Sequence, residues 1–117
     1  MADVSRESVY VGIDVSKDSL EVSLGDKGAS MRFGNDDQGI SAMLDWLAGH
    51  SVAVVLMEVT GGLEKRCAQS LYLAGLTVVV ANPRQAHEFA KSLGYLAKTD
   101  GIDARALSHF ARTLHNS

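Results

Sequence analysis

Four carboxylates in this chain stand where carboxylates are costly or conspicuous: Asp14 in "GIDVS", Glu58 in "LMEVTGG", and Asp100 and Asp103 in "KTDGIDARAL". Asp14 falls inside or at the end of a β-rich apolar run, where aspartate is depleted and a charge must be paired or bound to a metal. Glu58 is the single charge in the apolar run "SVAVVLMEV". Asp100 and Asp103 are three residues apart, so on a helix both would project from one side. Several carboxylates within a few ångströms of one another cannot all stay ionised without a cation. An oxygen-only ligand set selects a hard ion, Mg²⁺ or Mn²⁺. Two such ions ~3.5–4 Å apart clamp the attacking and leaving oxygens of a phosphodiester. The four acids therefore raise the expectation of a divalent-metal site, with all four as ligands and catalytic groups.

Each acid also has a plainer role. Asp100 suits a helix N-cap and Asp103 the first turn, where the helix dipole favours negative charge. Asp14 suits the turn before "SKDS", and a strand-end Glu58 suits a solvent-facing position. The metal reading rests on the combination and its order along the chain.

The elements that must bring these residues together follow from periodicity. "SVYVGIDVS" (8–16) reads as a central strand buried on both faces. Leu20, Val22 and Leu24 alternate with polar neighbours, "GDKG" is turn chemistry, and "ASMRF" resumes an extended pattern. Asn35 or Asp36 can cap a helix in which Ile40, Met43, Leu44 and Leu47 recur at helical spacing, closed by Gly49. A strand over 51–59, a helix in "TGGLEKRCAQSLYLAGL" and a strand over 77–82 follow. Pro83 then opens "PRQAHEFAKSLG", and a last helix runs from about Asp100 to His115. The order β-β-β-α-β-α-β-α-α predicts an α/β fold: a mixed sheet, its three leading strands antiparallel, flanked by helices. In an open sheet of this class, ligands gather at the carboxyl ends of the strands, where Asp14 and Glu58 would meet.

Composition sets the outer bounds. The 117 residues are one domain's length, with 46% hydrophobic and 21% charged residues, as in a globular protein. No apolar run approaches the ~20 residues of a membrane span. "MADVSRESVY" lacks a signal-peptide layout, so a cytoplasmic location is expected. The lone Cys67 excludes an internal disulfide and sits in an amphipathic helical pattern that predicts burial. The net charge of −3 is unevenly spread: residues 1–81 balance at −5 and residues 82–117 at +2. Arg84, Lys91, Lys98, Arg105 and Arg112 fall seven apart, so the last three can share one helix face. That face is either solvated or turned toward phosphates.

Three segments carry a family resemblance: "YVGIDVSKDSLEVSL", "LMEVTGG" and "VVVANPRQAHEFAKSLGYLAKTDGIDARALSHFA". Together they resemble the N-terminal domain of the DEDD transposases of bacterial insertion sequences, a group that includes pilin-type site-specific DNA invertases. The resemblance runs from about Val9 to Arg112, and its most specific part is the stretch from Asn82-Pro83 to Ala104. It implies a RuvC-like domain of the RNase H-like class over residues 8–117. It assigns the tetrad to Asp14, Glu58, Asp100 and Asp103, with Mg²⁺ or Mn²⁺ as cofactor. It further implies DNA as substrate, a structured guide RNA, a homo-oligomer, no membrane partner, and a serine-bearing C-terminal domain in a longer protein.

Flanking residues are secondary candidates. Lys17, Lys98, Thr99, Arg105 and Arg112 are the expected nucleic-acid contacts, with Ser16 beside them. The "TGG" turn after Glu58 and the helix start behind it form a second possible phosphate contact. His87 and His109 are expected to be solvated or packed, and Trp46 to lie in the core. Two rival functions remain open at this level. One is a non-catalytic DNA- or RNA-docking and oligomerisation module. The other is an actin- or sugar-kinase-type ATPase, because "GIDVSK" resembles a first phosphate loop, although no second Asp-Gly-rich loop follows.

Overall fold

In the computed structural model the described residues are 8–25, 28–92 and 103–115. They form five strands, β1 (Val9–Val15), β2 (Ser19–Ser23), β3 (Ser30–Gly34), β4 (Val52–Glu58) and β5 (Val78–Ala81). Four helices accompany them, α1 (Asp37–Leu47), α2 (Lys65–Leu73), α3 (Pro83–Ser92) and α4 (Ala104–His115). The sheet order is β3-β2-β1-β4-β5. β1, β2 and β3 make an antiparallel meander, while β4 and β5 join β1 in parallel. The expected mixed sheet is thus present, with β1 at its centre.

Alternation along the strands divides the core in two. Val11, Ile13, Val15, Val55 and Met57 face one side and pack with Ile40, Met43 and Leu47 of α1 and with Cys67 and Leu71 of α2. Val54 and Leu56 face the other side and pack with Ala86 and Ala90 of α3 and Ala106, Leu107, Phe110 and Ala111 of α4. Each cluster buries a continuous apolar surface, so both faces of the central strands are dry. That explains why β1 and β4 read as apolar runs rather than alternating ones.

Helix ends are set locally. The Asp36 carboxylate accepts the Gly39 N–H at 2.7 Å and caps α1. The Asp103 carboxylate accepts the Ala106 N–H at 2.9 Å, and its own carbonyl takes the Leu107 N–H. Asp103 is therefore the N-cap of α4, and this corrects the expected helix start near Asp100. The helical i, i+3 argument for the Asp100–Asp103 pair does not apply to this cap. Asp100 itself, with Lys98 and Thr99, lies outside the described residues.

Candidate metal and nucleic-acid site

β1 and β4 run parallel and in contact, with Ile13 opposite Met57 as the last paired residues. One step further, Asp14 and Glu58 stand at the carboxyl ends of neighbouring strands. Ile13 and Met57 point into the α1/α2 core, so alternation turns Asp14 and Glu58 to the α4 side. β5 continues the arrangement, with Ala81 opposite Glu58.

The approach of α4 to β1 depends on Gly12. A Cβ at Gly12 would overlap the Ala104 carbonyl oxygen and the Ser108 amide nitrogen, and would lie 2.8 Å from the Leu107 carbonyl carbon. Only hydrogen at this position lets the first turn of α4 rest on the strand. The Ser108 hydroxyl, buried at the same contact, donates to the Tyr10 carbonyl oxygen. Gly12 lies two residues before Asp14 and Ala104 one residue after Asp103, so this backbone contact carries Asp103 to Asp14.

Charge effects trace the resulting group. The Asp14 carboxyl is pushed above the ordinary aspartate range, first by desolvation at the strand end, then by the charges of Asp103 and Glu21. Glu58 is likewise pushed up, by desolvation and by Asp14, while the nearby His87 pulls it down. Asp14 of β1 thus feels the charge of Asp103 at the cap of α4, and Glu58 of β4 feels that of Asp14. Among the described residues, no three His, Cys, Asp or Glu side chains are grouped closely enough to hold an ion.

The donor set is nonetheless chemically suited to a hard divalent cation. It is oxygen-only, and the raised carboxyls of Asp14 and Glu58 are ones whose mutual repulsion a cation would relieve.

Sequence reasoning missed several neighbours. Glu21, paired across the meander with Asp14, adds a further negative charge and holds Arg32 at 3.0 Å. His87 is exposed on α3, in keeping with the expected solvated role, and its charge is also felt at Glu58. His109 does pack, edge-on against Phe89, and Trp46 packs at the core margin against Phe33.

Glu64 is the largest omission. It is buried at 6% exposure, and one carboxylate oxygen accepts from the Thr60 N–H at 3.0 Å, the Thr60 hydroxyl at 2.8 Å and the Gly62 N–H at 3.1 Å. The Thr60 and Gly62 bonds hold its pKa down to about 2. The Thr60 and Gly62 amides expected for a phosphate are thus engaged by an internal carboxylate, while the start of α2 carries no side-chain cap. The available signal was an acid six residues after Glu58 in a glycine turn.

Among the basic candidates, Lys17, Arg105 and Arg112 are exposed. The Arg112 guanidinium also lies 6.0 Å from the centre of the Tyr10 ring.

The sequence and fold have known counterparts. A transposase family, that of the DEDD transposases of the IS110 type, matches residues 11–117. The pilin gene-inverting proteins of Moraxella lacunata and Moraxella bovis are each 29% identical over 107 residues, covering 86% of this chain and 33% of theirs. The chain therefore spans about a third of the length of the curated relatives it matches. The RuvC structure from Thermus thermophilus superposes with a TM-score of 0.58 at 16% identity, over 84% of this chain and 88% of that one. The five-stranded mixed sheet is thus RuvC-like, of the RNase H-like class. Among the described residues, no helix is long and apolar enough to cross a membrane.

Proposed function

Because this chain belongs to the DEDD transposase family of the IS110 type, we propose that it is the carboxylate-bearing domain of a DNA transposase or site-specific recombinase. Asp14, Glu58, Asp100 and Asp103 are its metal ligands, and Mg²⁺ or Mn²⁺ is the cofactor. When bound, the metal would supply charge neutralisation at a DNA phosphodiester. The chain's own residues would hold that ion in place: Asp14 and Glu58 from the strand ends, Asp103 from a helix cap anchored on β1. The observation that carries this reading is the placement of Asp14 and Glu58 at the ends of adjacent parallel strands with the Asp103 cap brought to β1 at Gly12. Burial raises both carboxyls, with Asp103 adding at Asp14 and Asp14 at Glu58. Acids from three elements are held in repulsion at the carboxyl edge of a RuvC-like sheet, and a cation offsets that cost.

Partners follow from the same reading. DNA is the substrate, a structured RNA the guide, and a second copy of the chain the oligomeric partner. Strand cleavage is shared with the serine-bearing domain of the longer protein, and the whole operates at the nucleoid in the cytoplasm.

The test is thermal unfolding with and without Mg²⁺ or Mn²⁺, on wild type, Asp14→Asn and Glu58→Gln. Metal raises the wild-type midpoint, and each variant loses that response without melting lower in its metal-free form. A wild type indifferent to both ions overturns the reading.

A second reading, a nucleic-acid docking module without chemistry, draws support from Arg105 and Arg112. Both are exposed on α4, seven residues apart, on the helix that Asp103 caps. Neutralising both by alanine would then abolish DNA binding, whereas Asp14→Asn would leave it unchanged.

A further inference from the structure

The two acid-bearing strand ends are tied together by a residue on neither strand. Asn35, directly after β3, donates from its side-chain amide to the Ser16 carbonyl at 2.9 Å and to the Leu63 carbonyl at 3.3 Å. Ser16 lies two residues past Asp14, and Leu63 five residues past Glu58. A single NH₂ group therefore bridges the loop leaving β1 and the loop leaving β4. Both of its hydrogens are used, a capacity that Asn has and that Asp, Ser or Ala lacks.

Each end of the bridge is itself fixed. The Asn35 backbone N–H donates to the Asp18 carbonyl at 3.1 Å, within the turn that follows Asp14. Directly after Asn35, Asp36 caps α1. The first turn of α1 lies so close to Gly34 that a Cβ at Gly39 would overlap the Gly34 carbonyl oxygen. Asn35 is thus held at the junction of β3 and α1. On the far side, Leu63 belongs to the loop that Glu64 pins through Thr60 and Gly62.

We propose that Asn35 is a positioning residue for the metal site, setting the separation of Asp14 and Glu58 by clamping the loops that follow them. The proposal rests on the reading of Asp14 and Glu58 as metal ligands. Outer residues that orient ligands typically change metal affinity by about 10–100-fold when lost, because a ligand free to drift must be ordered on binding.

The experiment is calorimetric titration of the 117-residue chain with Mn²⁺ alone, on wild type, Asn35→Ala and Ile40→Val. The buried Ile40 side chain packs in the α1/α2 core and supplies neither hydrogen bond of the clamp, so its truncation lowers stability while leaving those two bonds in place. The expected result is Mn²⁺ binding weakened about tenfold or more in Asn35→Ala and unchanged in Ile40→Val. Should the alanine variant not fold, Asn35→Ser, which can serve only one carbonyl, carries the same expectation. Wild-type affinity in the Asn35 variants, or an equal loss in Ile40→Val, overturns the proposal while leaving the metal reading intact. Absence of Mn²⁺ binding to the wild type overturns the metal reading, and the ligand-positioning role with it.

Discussion

Gly12 and Ala104 touch backbone to backbone, closely enough that no side chain fits between them at position 12. The contact is structural, yet its effect is electrostatic: it delivers the cap of α4 to the end of β1 and sets Asp103 against Asp14. Gly12→Ala is expected to destabilise the chain by about 2–3 kcal/mol, the cost of overpacking where only backbone can yield. Urea unfolding measures the loss. The same variant should show a smaller Mg²⁺-induced rise in midpoint, because Asp103 moves with the displaced helix.

Asp103 has two roles that substitution can separate. Asparagine caps a helix as well as aspartate does but binds a hard cation poorly. Asp103→Asn should therefore keep the metal-free midpoint and lose the metal response. Asp103→Ala should lose both, with about 1 kcal/mol of metal-free stability removed with the cap. Equal metal responses in wild type and Asp103→Asn would restrict this residue to capping.

Acid stability should carry two opposing signatures. Glu64 has a folded pKa of about 2 against an ordinary value of 4.5, so its contribution is complete above about pH 4.5 and is lost as pH falls toward about 2. Glu64→Gln should flatten the stability profile across that window and lower stability at neutral pH by about 1–3 kcal/mol, with charge-assisted bonds removed. Asp14 and Glu58 have the opposite sign. Their raised folded pKa values favour the protonated forms on folding, so stability falls as pH rises through them. Metal-free Asp14→Asn should accordingly be no less stable than wild type at neutral pH, as chemical denaturation across pH would show.

Cys67 is fully buried in α2 and its thiol is pushed up to about 12 by desolvation. The reactive thiolate is therefore scarce in the folded chain. Labelling by a thiol reagent should follow global unfolding, with a rate that rises with urea in step with loss of helical signal. Rapid labelling of the native chain would contradict this burial.

Much of the architecture is legible in the sequence, because it is written in local patterns. The apolar runs of β1 and β4, the alternation of β2 and the 3.6-residue spacing of α1 each follow from neighbours in sequence. Asp14 and Glu58 stood out for the same reason, as charges interrupting apolar strands. The expected start of α4 near Asp100 lies too early because Asp100 and Asp103 both have capping chemistry; the structure gives that role to Asp103, which accepts from the Ala106 amide.

The tertiary structure alone decided how the site is held. A glycine that admits a helix leaves the same letter in the sequence as a glycine in a turn, so the Gly12–Ala104 contact could not be read from Gly12. Asn35 and Leu63 are 28 residues apart, and their bond is to a backbone carbonyl, which every residue possesses and no residue type announces. Glu64 has the letter of an ordinary helix acid, and only the fold sets its oxygen to accept from Thr60 and Gly62. The sequence could name the acids because their chemistry is in their side chains. Their distances are fixed by backbone contacts between remote segments, and those exist only once the chain is folded.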